Sequence, residues 1–440
     1  MIVDFYQGSV QMARNFCTGM AVLLLTISTF ADWPAVKDLP EIKELPDPLV
    51  MFDGTPVTTA EQWRKERRPE LISLFEYYVY GKAPSPPDNF SFTVENIDPK
   101  AFGGKATRKI VTLRFGPEGT RPVTLLLVTP NHRSGPAPVF IGLNYGNHLT
   151  MTDPNIPLTW AWMNSGYAGG SDGQANDDQR GLNAPTGEKP RWYFEKAVDR
   201  GYAVATMYCG EFSPDRPDGD YAFTDGVHRG YFKEGQTRPG PHEWGTIAAW
   251  AWGLQRGADY LVKDSDIDNA RIIVIGHSRL GKAALLAAAL DERFALAIPS
   301  MAGCTGTSPA RSDIGESVAQ INKNFPHWFT DTYKRFNKQV ERLPFDQHAL
   351  IALVAPRPVL VTIATKDIHG NPHGQFDMLV AAAPVYELLG VKKPIATTEF
   401  PDENVLINSC LGYHIRPGVH GMTDVEWSVW LDFADKHLKR

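Results

Sequence analysis

In the stretch RIIVIGHSRLGKAALLAAALD, residues 271–291, an apolar strand-like run meets Gly276-His277-Ser278, and an Ala/Leu-rich helical stretch follows at once. A serine on so sharp a strand-to-helix turn presents its hydroxyl above the sheet edge, while the next backbone N–H and the helix N-terminus face developing negative charge. That setting suits nucleophilic attack on a carbonyl. The glycine spacing departs from G-x-S-x-G, because Gly281 stands three residues after Ser278 with Arg279 and Leu280 between. A serine nucleophile needs a base, and the base an orienting carboxylate; in α/β hydrolases the chain order is Ser, acid, His. The string GYHIRPGVHGMTDVEW, residues 412–427, places His420 in a glycine-flanked turn just before the last helix, where an imidazole is well presented. His414 reads as structural and His437, on the final helix, as solvated. Asp367, just past the apolar run RPVLVTIA, is the expected acid. His369 and His373 accompany it, but no H-E-x-x-H spacing appears, so neither a metal nor a cofactor is expected.

Elements of a definite kind must position these groups. TRKIVTLRF and PVTLLLVTP, residues 107–115 and 122–130, alternate around a turn and predict an antiparallel hairpin. PVFIGL, residues 138–143, is a continuous apolar run of the doubly buried kind. The polar, Gly-rich stretch over residues 144–191 is long enough to be functional rather than connective. Helix and strand then alternate: WYFEKAVDRG into YAVATMY, EWGTIAAWAWGLQRGADYL into RIIVIG, the nucleophile helix into ALAIPS, then RPVLVTIA, FDMLVAAAPVYELLG, PIATTEF and a last helix near 424–438. This rhythm predicts an α/β-hydrolase-like fold, a mostly parallel sheet with helices on both faces and long loop insertions. Residues 32–105, with a helical stretch over 61–80, read as an N-terminal extension of a single catalytic domain spanning 32–440. Trp160, Trp162 and Trp192 are candidates either for stacking on sugars or for core packing.

The composition is that of a soluble globular protein: 440 residues, 43% hydrophobic, 11% aromatic, and 44 basic against 50 acidic residues for a charge of −6. It gives nucleic-acid binding no electrostatic support. Residues 20–30, MAVLLLTISTF, end at Ala31 behind Arg14 and read as a secretory signal peptide over 1–31; the other reading is a buried N-terminal helix. The run is too short to span a bilayer, which takes about 20 apolar residues. A secreted or periplasmic monomer without membrane attachment is expected. Of Cys17, Cys209, Cys304 and Cys410, the last three lie outside the signal, and a bridge such as Cys304 to Cys410 is left open.

From Pro138 onward the sequence resembles the glucuronoyl esterases, carbohydrate esterase family 15, and in particular their bacterial branch. The blocks that carry the resemblance include PVFIGLNYGNH, RGYAVATMYCGEFSPD, GHSRLGK, IGESVAQINKNFPHWF and GYHIRPGVHG. The resemblance implies hydrolysis of the ester between (4-O-methyl-)glucuronic acid of glucuronoxylan and lignin alcohols. It implies Ser278 as nucleophile, His420 as base, Asp367 as its orienting acid and Arg279 as oxyanion stabiliser. Lys282, Glu316, His369 and Trp328 fall at substrate-binding positions. Two departures stand out. Many relatives carry a Glu after the strand that follows the nucleophile helix, whereas IPSMAGC, residues 298–304, has no carboxylate; and His369 replaces the Trp of bacterial relatives, with Asn371 where an Asp is frequent. An acetyl or feruloyl xylan esterase, and a non-catalytic carbohydrate-binding protein on the same scaffold, are the alternative readings.

Overall fold

The computed structural model describes residues 33–145, 191–216 and 221–438. Its centre is a sheet of ten strands: β1 (Ser91–Ala101), β2 (Ala106–Arg114), β3 (Val123–Pro130), β4 (Ala137–Asn144), β5 (Ala203–Tyr208), β6 (Ile267–His277), β7 (Phe294–Ser300), β8 (Val359–Ala364), β9 (Leu406–Ile407) and β10 (Leu411–Arg416). They lie in the order β1-β2-β3-β5-β4-β6-β7-β8-β10-β9. The run from β5 through β10 is parallel, while β1, β2, β3 and the short β9 add antiparallel margins. This is the α/β-hydrolase architecture the rhythm predicts, and the hairpin over β2 and β3 is present in register.

Every residue of β4 is buried, as a strand covered on both faces must be. Successive side chains of a strand point to opposite faces, and two helix layers meet them. On one face Val139, Ile141, Ile272 and Val274 join a core with α3 (Thr246–Leu261), α4 (Arg279–Leu290), α5 (Gln347–Ala352) and α6 (Pro372–Leu388). On the other, Phe140, Ile273, Ile275 and Ile298 pack with Phe194 and Val198 of α2 (Phe194–Asp199) and with Trp427 and Trp430 of α7 (Asp424–Leu438). The extension joins the first core through Trp63 and through Leu71 and Leu74 of α1 (Arg68–Phe75).

Three sequence readings are corrected here. β1 falls inside the expected extension: its side chains are almost all exposed, so main-chain pairing with β2 makes it a strand rather than burial of an apolar face. PIATTEF, residues 394–400, is not a strand; LGYHIR fills the place beside β8, because that slot is buried on both faces and LGYHIR alone is buried throughout. His437 is half-buried against Phe433 at 4.3 Å, and burial pulls its pKa down to about 4. Cys209, Cys304 and Cys410 are free thiols, so the Cys304 to Cys410 bridge is not made. The expected signal peptide, Trp160 and Trp162 lie outside the described residues. No helix among those residues is long and apolar enough to cross a membrane.

One buried acid sets a pH dependence on stability. Burial raises the Glu76 carboxyl from 4.5 to about 7, with Lys82 drawing it back. Between those values the folded protein holds a proton that the unfolded chain has released, so stability falls as pH rises through this window. Glu76→Gln is expected to raise the melting temperature at pH 8 and to leave it nearly unchanged at pH 4. At about 1.4 kcal/mol per pKa unit the gain is at most on the order of 3 kcal/mol. Thermal unfolding at the two pH values checks it, and an equal effect at both would remove the explanation.

Candidate active site

In an open parallel sheet, ligands meet the carboxyl ends of the strands where the strand order reverses. Here β4 lies between β5 and β6, and the candidate residues all follow strand ends: Tyr145 after β4, Asp215 beyond β5, Ser278 after β6, Asp367 beyond β8 and His420 beyond β10. Tyr145, Asp215, Ser278, Arg279 and His420 line one cleft of about 360 Å³, together with Arg191, Tyr208, Cys209, His277 and Gly421.

Ser278 sits at φ 59°, ψ −126°, between the end of β6 and the first turn of α4. A non-glycine residue in this region is strained, and such strain concentrates where a side chain must be presented. The turn is so tight that a Cβ on Gly276 would lie 2.0 Å from the Leu280 carbonyl oxygen. The glycine spacing also finds its reason, since a Cβ at position 281 would meet the Ser300 oxygen of β7 at 2.9 Å. The close approach of α4 to β7 thus falls at Gly281, and position 280 is free to carry Leu280, which is buried in the core.

β8 and β10 pair in parallel, which brings the loops beyond their ends side by side. The Lys366 N–H donates to the Gly418 oxygen at 2.8 Å and ties the two loops together. His420 Nδ1 lies 2.7 Å from Asp367 Oδ2, and Asp367 Oδ1 accepts from the Gly370 N–H at 3.2 Å. The Asp367 side chain is 5% exposed and that of His420 42%: the carboxylate is enclosed, and the ring reaches into the cleft. His277 stands 4.6 Å from the His420 ring, ring centre to ring centre. Burial, then the neighbouring His420, holds the His277 pKa well below the usual value, so that it is neutral. Tyr145 donates its hydroxyl to the His277 carbonyl, and burial pushes its pKa up.

Arg279 donates through Nη1 to Asp215 and lies 4.9 Å from the Trp328 ring and 5.0 Å from that of Phe325. The remaining predicted positions are placed less evenly. Trp328 is 3% exposed, stacks on Phe325 at 3.8 Å and donates its indole N–H to Asp215, so it backs Arg279 instead of offering an open face to a sugar. Lys282 is buried and does not line the cleft; its ammonium donates to the carbonyls of Ala302 and Cys304, and burial lowers its pKa. Glu316 and His369 stand together at 3.4 Å, with the Glu316 N–H donating to the His369 carbonyl at 2.9 Å. His373 turns away to stack on Phe400, and no metal-holding group of three side chains occurs among the described residues. Trp192 packs between Phe194 and Trp427, each at 5.8 Å, as a core side chain. Sequence reasoning missed Asp215, Tyr145 and His277 as site residues. Their one sequence signal is position, at or beyond the ends of β5, β4 and β6.

A parallel sheet of this topology, with a strained serine at a strand-to-helix turn and a histidine–carboxylate pair over the same cleft, is the arrangement of the α/β-hydrolase class. Comparison with known proteins narrows the class. The profile of the fungal glucuronyl esterases matches residues 238–390. A carbohydrate esterase from an unknown prokaryotic organism is 44% identical over 398 residues, 90% of this chain and 89% of the relative. The solved glucuronoyl esterase of Solibacter usitatus superposes with a TM-score of 0.82 at 38% identity, covering 91% of this chain and 100% of that one. A promiscuous family 15 esterase from a marine bacterial metagenome gives 0.81 at 43% identity, over 92% and 99%. The chain belongs to carbohydrate esterase family 15, the glucuronoyl esterases.

Proposed function

We propose that this protein hydrolyses the ester joining glucuronic acid, or its 4-O-methyl form, on glucuronoxylan to lignin alcohols, through an acyl-enzyme on Ser278. The observation that carries the mechanism is the His420–Asp367 pair at 2.7 Å, opening on the same cleft as Ser278. Asp367 fixes the ring with Nδ1 inward, which leaves Nε2 as the proton acceptor. His420 takes the Ser278 proton as Oγ attacks the C6 carbonyl carbon. The oxyanion so formed meets the Arg279 backbone N–H at the start of α4 and the Arg279 guanidinium; such preorganised donors act on charge that exists only in the transition state. The carbonyl re-forms, the C–O bond to the alcohol breaks, and His420 delivers its proton to the departing oxygen. Water then repeats the sequence on the acyl-enzyme, regenerating Ser278 and releasing the uronic acid, which ionises.

Glu316, whose side chain is 11% exposed, and His369, 68% exposed, are proposed to hold the sugar hydroxyls, with Lys282 and Trp328 as the further substrate-binding positions. The protein acts outside the cytoplasm as a monomer after loss of residues 1–31. The deciding assay compares benzyl glucuronate with acetylated xylan. A clearly higher kcat/KM on the glucuronate ester is expected; the reverse ranking would make it an acetyl esterase, and binding without turnover would make it a carbohydrate-binding protein.

A further inference from the structure

We propose that Asp215 is a positioning residue for the acyl-transfer step, holding the Arg279 guanidinium at the wall of the cleft in the plane where it meets the oxyanion. The proposal rests on the reading of Ser278 as nucleophile and Arg279 as oxyanion donor. Asp215 stands on the loop beyond β5, sixty-odd residues before the serine in sequence, and lines the same cleft. Three donors converge on its carboxylate. Oδ2 accepts from Arg279 Nη1, while Oδ1 accepts from Trp328 Nε1 at 2.8 Å and faces His327 Nε2 at 3.0 Å.

Its side chain is 11% exposed. Burial by itself would raise the carboxyl, yet the His327 hydrogen bond and the Arg279 charge bring it below the ordinary range, so it is ionised. The aromatic rings beside Arg279 leave it in-plane motion that Asp215 restrains. Trp328, Phe325 and Tyr145 stand 4.9, 5.0 and 5.9 Å from the guanidinium carbon. Contacts of this kind hold a guanidinium against ring faces but leave it free to slide and rotate in its own plane. A charge-assisted hydrogen bond at Nη1 to Asp215 restrains that in-plane motion. The same carboxylate is anchored by two further donors from the segment that carries Trp328, so the restraint is itself fixed. Oxyanion stabilisation depends on donors already in place when charge develops, and a guanidinium on a long, rotamer-rich stem meets that condition only if something holds it.

The test is a double-mutant cycle of Asp215→Asn and Arg279→Ala, measured on both methyl glucuronate and p-nitrophenyl acetate. Asn keeps an oxygen for Trp328 and His327 but turns an amide toward the guanidinium. Asp215→Asn alone is expected to lower kcat about 10- to 100-fold with KM changed less than about 3-fold. In the Arg279→Ala background the same substitution is expected to change kcat less than about 2-fold. Equal losses in both backgrounds, or an unchanged kcat in the wild-type background, would overturn the proposal. If Asp215→Asn does not fold, Asp215→Glu, which keeps the charge but shifts it by one methylene, is expected to give a smaller loss that also disappears without Arg279. Turnover of p-nitrophenyl acetate without turnover of the glucuronate ester would reject the substrate reading and leave the cycle interpretable on the acetate. Turnover of neither would reject both.

Discussion

Ser278→Ala is expected to lower kcat/KM on benzyl glucuronate by about 10⁴-fold or more, the scale on which serine hydrolases lose activity when the nucleophile is removed, while leaving the melting temperature nearly unchanged. The backbone at 278 is strained at φ 59°, but alanine carries the same Cβ and suffers the same strain. The tight turn is imposed by Gly276 against Leu280 and by α4 against β7, none of which involves the serine oxygen. Activity and stability therefore separate at this position. Residual hydrolysis above about one part in a thousand, in a preparation free of wild-type enzyme, would remove Ser278 from the mechanism. A large drop in melting temperature would mean that the hydroxyl is part of the fold.

Asp367→Asn is expected to cost about 10³- to 10⁴-fold in kcat, with a much smaller change in KM. The carboxylate is enclosed and shared between His420 Nδ1 and the Gly370 N–H. An asparagine that keeps the Gly370 hydrogen bond turns its NH₂ toward Nδ1. It then favours the tautomer with the proton on Nε2, and the base can no longer accept from serine. It also loses the negative charge that stabilises the imidazolium. The end of β7 offers no substitute acid, because the side chain there facing Gly421 is Met301, whose sulfur accepts the Gly421 N–H at 3.4 Å. Steady-state kinetics on the glucuronate ester decides it. A near-normal rate would show that another group orients His420.

Much of the architecture was legible because it rests on local signals. The buried strands β4, β5 and β8 and the second half of β6 are short, largely apolar runs, and α3, α4 and α6 carry long apolar stretches, so their type and sequence follow from hydrophobic pattern. β1 and β10 were not legible. β1 is an edge strand with exposed side chains, made by pairing with β2. LGYHIR competed with PIATTEF for one slot, and only the burial available beside β8 distinguishes them. Of the candidate site, Ser278, Asp367 and His420 could be named because each sits just beyond an apolar strand or in a glycine-flanked turn before a helix.

By itself the sequence determined the strand-to-helix turn at Ser278, the chain order of Ser278, Asp367 and His420, and the alternation that builds a parallel sheet, because these are properties of neighbours along the chain. Only the tertiary structure decided what surrounds Arg279. Asp215, Trp328 and Tyr145 approach it from three separate loops, and nothing in residue spacing brings such loops together; the strand order does. The same holds for Lys282 and Trp328, whose side chains the sequence directed toward a sugar. The packing of α4 and of the loop carrying Phe325 encloses them, one bound to backbone carbonyls and the other to a carboxylate. A charged or indole N–H group placed out of water must find acceptors within the protein, and here those acceptors fix which polar groups face the cleft.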